Sequence, residues 1–127
     1  MRTKLAALFA ALLFSFSALA QPAQSYIRVE VAPERTDWVY GAGEQVKFTV
    51  RVVKNNAPLE NAAVTWEISE DMMPPLKTGN LTTGKGSATI EGGTMNKPGF
   101  LRCIVRTEYD GKTYEGMGTA AFDPEQI

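Results

Sequence analysis

Over most of this chain apolar residues recur at every second position, and Gly, Pro, Asn or Asp interrupts them roughly every ten residues, which is the rhythm of short half-buried strands. Ile27, Val29 and Val31 share one face of a first strand that Pro33 ends. Trp38, Val39 and Tyr40 form a short aromatic stretch before Gly41, Ala42 and Gly43. Val46, Phe48, Val50 and Val52 face inward against Lys47, Thr49 and Arg51, and Asn55-Asn56-Ala57-Pro58 reads as a turn. Val64, Trp66 and Ile68 alternate with Thr65, Glu67 and Ser69, predicting a strand that buries an indole between two branched aliphatic side chains.

The alternation then fails. Residues 71–83 contain two prolines that cannot donate to a central ladder, and are expected to form a long loop or an irregular edge crossing between sheets. Ala88 and Ile90 mark a short strand before Gly92 and Gly93. Leu101, Cys103 and Val105 alternate with Arg102, Ile104 and Arg106, and Asp110-Gly111 is a two-residue hairpin signal. Tyr114, Gly116, Gly118, Ala120 and Phe122 share a face of the last strand, where two glycines imply a close backbone approach or a bulge. The prediction is all-β: an immunoglobulin-like antiparallel β-sandwich of about seven strands over residues 21–127. Leu101 stands two residues before Cys103, so the tyrosine corner of antibody domains is missing, as is their disulfide.

Residues 1–20 have a different character. Arg2 and Lys4 precede an apolar run that closes on Ala18-Leu19-Ala20, the order of a secretory signal peptide cleaved between Ala20 and Gln21. The run is too short for a spanning helix, so no membrane attachment is expected after cleavage, and the mature chain is expected to be secreted or periplasmic.

The 127-residue chain holds 13 basic and 14 acidic side chains, spread without a basic stripe, which argues against nucleic acid as a partner. Its single cysteine, Cys103, cannot form an intramolecular disulfide and is expected to pack as a small apolar residue.

There is no histidine, which removes the usual base from a Ser or Cys nucleophile and the commonest zinc ligand. No G-x-S-x-G elbow and no calcium-loop spacing occurs, so no catalytic residue, metal or cofactor is assigned. Glu67, Glu70 and Asp71 cluster at the end of a strand and read as solvated surface acids. Asn80-Leu81-Thr82 matches the N-glycosylation pattern, a motif with a high false-positive rate. Two surface roles remain. Met72, Met73, Pro74, Pro75 and Leu76 either form an exposed apolar docking patch or, through Met72 and Leu76, cap the sandwich core. Trp38, Tyr40 and Tyr114, with Tyr109, are residue types that stack on sugar rings.

The runs GAGEQVKFTVRVVKNNAPLENAAVTWEIS, Met-Pro-Pro at residues 73–75, GGTMNKPGFLRCIV and YDGKTYEGMGTAAFDPEQI together resemble the N-terminal domain of acetylxylan esterases of the cephalosporin-C deacetylase type, as found in Bacteroidetes. The resemblance spans nearly all of residues 21–127, and the F-D-P-E-x-I ending is similar to the joint leading into an α/β-hydrolase domain. That family's catalytic Ser, Asp and His lie in the hydrolase domain, so the resemblance assigns no catalytic residue here. It implies a non-catalytic accessory domain that positions or oligomerises a hydrolase domain, in cis or as a separate chain. Contact is then expected through Met72, Met73, Pro74, Pro75 and Phe122, within residues 71–83 and 122–127. The alternative is a xylan-binding module using Trp38, Tyr40 and Tyr114. Whether the chain is a truncated product, a fragment or a stand-alone relative stays open.

Overall fold

The computed structural model describes residues 26–127; the leader and its Ala20/Gln21 junction lie outside them. Nine strands build two sheets. In one, β1 (Ile27–Pro33) and β7 (Ala88–Gly93) flank β3 (Val46–Lys54), whose end also pairs with the two-residue β4 (Ala57–Pro58). In the other the order is β2 (Val39–Tyr40), β9 (Lys112–Phe122), β8 (Gly99–Tyr109), β5 (Ala63–Glu70) and β6 (Pro75–Thr82). Every pairing is antiparallel except β2 on β9. The architecture is the expected all-β, immunoglobulin-like sandwich.

The inner faces merge in one apolar cluster. Phe48, Val50 and Val52 of β3 and Leu101, Cys103 and Val105 of β8 are buried, as the period-two pattern requires. Burial pushes the Cys103 thiol up to about 12, so it stays a neutral apolar filler. Asp110 and Gly111 both adopt positive φ, at 51° and 75°, and turn β8 into β9 as a two-residue hairpin.

The two glycines of β9 do mark a close approach. A Cβ on Gly116 would sit 2.1 Å from the Val29 carbonyl oxygen, and one on Gly118 would sit 2.9 Å from that of Val31. The two sheets therefore close at this edge with β1 lying on bare β9 backbone.

Two sequence expectations change. Residues 71–83 are not chiefly a loop, because residues 75–82 form β6, an edge strand with Pro75 at its first position, where a missing donor costs no ladder bond. Trp66 does point inward, but it is half-buried at the open edge, where its indole covers Gly79 of β6 so closely that a Cβ there would lie 2.5 Å from the ring.

Gly116→Ala is expected to destabilise the domain by about 3 kcal/mol, since the Val29 backbone must move. Gly111→Ala, strained but with no atom nearby, should cost about 1 kcal/mol. Urea midpoints at constant slope compare the two; equal losses would contradict the backbone contact.

Candidate functional site

At the end of the sandwich where β9 finishes, the outer face of the five-stranded sheet carries apolar side chains in a row. Register places Val39, Ala121 and Phe100 side by side on β2, β9 and β8, and Asp71 N donates to the Phe100 carbonyl oxygen at 3.2 Å. That last bond brings the β5–β6 turn, with Met72 and Met73, to the end of the row. Met73, Phe100 and Ile127 line a shallow groove of about 380 Å³.

One flank of the row is held by a network of polar contacts. There, Arg35 forms a two-pronged ion pair with Glu44, its Nη1 also donates to the Val39 carbonyl oxygen at 3.1 Å, and its guanidinium lies 4.4 Å over the Tyr40 ring. Glu44 accepts a further bond from the Gly41 amide. The Arg35 hydrogen bonds, then the Gly41 amide, hold the Glu44 carboxyl down at about 2, and the same partner raises Arg35. Within this clamped loop Trp38 takes a positive φ of 64°, its carbonyl accepts from Ala121 N at 2.8 Å, and the residue is 57% exposed. On the other side Met72, also at positive φ (62°), is 89% exposed. A bulky residue in the left-handed region is uncommon, and two of them, both exposed, flank one apolar row.

Of the expected contact residues, Met72, Met73, Pro74 and Pro75 all stand exposed together on the β5–β6 turn. Leu76 is exposed as well, so neither it nor Met72 caps the core; Met95 and Leu101 are buried instead. Phe122 is a correction. It is fully buried and stacks on Tyr40 with ring centroids 5.5 Å apart, fixed by the Asp123 N bond to the Tyr40 carbonyl oxygen, and offers no outward contact.

The expected sugar platform is corrected too. Tyr40 is 3% exposed inside that same stack, and Tyr114 is half-buried against the core. Tyr114 lies eight residues from Phe122 along β9, about 27 Å from the Trp38 end at strand rise. The three aromatic rings form no common surface.

Val39 and Phe100 went unassigned in the sequence, although Phe100 falls in the outward register with Arg102 and Ile104, whereas Ile127 belongs to the tail expected at the contact. The acidic cluster is dispersed into ion pairs: Glu67 with Arg106 at 3.6 Å, Glu70 with Lys97 at 3.2 Å, and Asp71 with Arg102. Among the described residues no group of three His, Cys, Asp or Glu side chains is placed to hold a metal ion.

What the geometry defines is a β-sandwich with a preformed apolar end. No protein-family model matches the chain. Over 95 residues, 75% of its length, it is 40% identical to acetyl esterase Axe7A of Xylanibacter ruminicola, and spans 21% of that protein. It is thus homologous to a minor part of an esterase. Among solved structures, the CARDB domain of the PF1109 protein from Pyrococcus furiosus, crystallised with di-metal ions, aligns at 12% identity with a TM-score of 0.49, covering 81% of this chain and 97% of that one. The solution structure of the same domain aligns at 13% identity with a TM-score of 0.46, covering 80% and 97%.

The clamp gives a pH prediction. The Glu44 carboxyl titrates at about 2 in the fold against an ordinary 4.5, so its stabilisation is complete above about pH 4.5 and is lost as pH falls towards 2. Glu44→Gln should therefore lower the melting temperature at pH 7, with the gap to the unaltered protein closing between about pH 4.5 and 2. A gap that is constant with pH would refute the clamp.

Proposed function

We propose that this chain is a non-catalytic accessory domain of an exported acetyl esterase, and that its apolar end docks on the hydrolase domain. The observation that carries the proposal is the continuous exposed row from Trp38 and Val39 through Phe100 to Met72 and Met73, built on clamped backbone. Exposed aromatic and Met side chains on a rigid base are suited to an interface, because little ordering entropy is lost when they are covered. The homology to part of an acetyl esterase supports the partner class, and a chain without histidine cannot itself supply a Ser-His-Asp triad. Ile127 borders the same groove as Met73 and Phe100, so a hydrolase domain joined in cis would meet this row directly.

The order of the leader, Arg2 and Lys4, then an apolar run, then Ala18-Leu19-Ala20, supports export, with cleavage after Ala20. Xylan deacetylation as the activity of the whole protein follows from the sequence resemblance.

The docking test uses residues 21–127 and a separately expressed hydrolase domain of the Xylanibacter ruminicola acetyl esterase. Phe100→Asp with Met73→Asp, both at exposed positions, should weaken the association by at least about tenfold, or about 1.4 kcal/mol, in titration calorimetry. Binding unchanged by the pair, with the fold intact by circular dichroism, would remove the row from the interface.

A further inference from the structure

The other end of the same outer sheet face is hollow, and its lining mixes hydroxyl, amide and charged side chains with the apolar Ala63, Val64 and Leu81. Four adjacent strands, β9, β8, β5 and β6, line a groove of about 890 Å³, within the span of roughly 300–1,000 Å³ typical of small-ligand sites. Register sets its residues in two rows that cross the strands. Arg106, Thr65 and Asn80 form one, with Glu115 beyond Arg106 outside the lining; Thr113 beside Glu108, and Ala63 beside Thr82, form the next. At about 4.8 Å between neighbours, four strands give a run of about 14 Å. Ala63, exposed opposite Thr82, contributes only a methyl group where longer side chains surround it, which accounts for the depression.

The chemistry of the lining is specific in kind. Arg106 is already engaged, at 2.8 Å from Glu115 and 3.6 Å from Glu67, so it offers no free charge to an anion. Thr107 is buried and its hydroxyl donates to the Ala63 carbonyl oxygen at 2.8 Å, fixing the floor. The exposed Thr65, Thr82, Thr113 and Asn80 present hydroxyl and amide groups that can both donate and accept, and Glu108 accepts. A peptide adding to this sheet would run along the edge strand β6 on main-chain bonds, not across four strands on side chains.

We propose that this groove binds a neutral, hydroxyl-rich chain, an oligosaccharide lying across the strands and held by hydrogen bonds from Thr65, Asn80, Thr82, Thr113 and Glu108. With no aromatic ring in the lining to stack on, the binding is weak and depends on polar complementarity. The site is separate from the docking row and stands whether or not that row meets a hydrolase domain.

The experiment is a titration of ¹⁵N-labelled residues 21–127 with xylohexaose, and in a second arm with cellohexaose, followed by amide shifts. Saturable shifts are expected at residues 63–65, 80–82, 106–108 and 113, with none at Trp38 or Met73, and the hexaose giving the tighter curve names the sugar. Ala63→Phe fills the hollow from an exposed position, and Thr113→Val keeps the side-chain shape while removing one hydroxyl. The first should weaken binding at least about tenfold and the second measurably less, each with an unchanged spectrum in the absence of sugar. Silence of these amides towards both hexaoses, shifts confined to Trp38 and Tyr114, or full affinity in Ala63→Phe would each overturn the proposal.

Discussion

The approach of β1 onto the bare backbone of β9 is the constraint on which the rest of the sandwich depends. No disulfide ties the sheets together, since Cys103 is the only cysteine, so their separation must be set by packing alone. At the β1 edge it is set by glycine, because Gly116 and Gly118 let the Val29 and Val31 carbonyls rest where side chains would otherwise stand. In the five-stranded sheet the Trp66 indole lies over Gly79 of the edge strand β6. Glycine thus sets the approach at β9, and an indole over a glycine closes the β5–β6 side.

The period-two alternation made the long strands legible, because each has one face that must be apolar and one that is free. Val46 to Val52 and Leu101 to Val105 could be assigned inward or outward residue by residue for that reason. β6 left no such record. It lies at the sheet edge with nearly its whole length exposed, so neither face is under hydrophobic constraint, and Pro74, Pro75 and Gly79 removed what pattern remained. The hydroxyl of Thr83, which accepts from Ala62 N and donates to the Leu59 carbonyl oxygen deep in a turn, was invisible for a related reason: a buried threonine looks in sequence like any surface one.

The candidate site divides in the same way. Met72 and Met73 were legible because an apolar run inside a proline-rich stretch has no strand to belong to. Phe122 and Tyr40 were misjudged because what buries them is the parallel pairing of β2 with β9, a contact between residues about 80 apart that no local pattern encodes. Phe100 and Val39 needed the same information in reverse, since each is an ordinary outward strand position until the sheet order sets them in one row with Ala121. Local chemistry was therefore readable in the turns, whereas a surface assembled from three or four strands became visible only with the strand order.

The strand order also separates two surfaces on one sheet face. Phe100, in the apolar row, and Arg106, in the groove, are six residues apart on β8, about 20 Å at strand rise, and both point outward. β8 is hydrogen-bonded along its length to β5 and β9, so the intervening backbone cannot shorten or flex by more than a small fraction of that distance. A partner covering the Phe100 row would leave the Arg106 rows open, and anything held in the groove would sit at a fixed offset from that partner. A flexible linker would spread such an offset over many distances, whereas a hydrogen-bonded sheet sets one. On the proposed reading, the sandwich would act in this geometric way, keeping whatever the groove holds and whatever docks on the row in constant register.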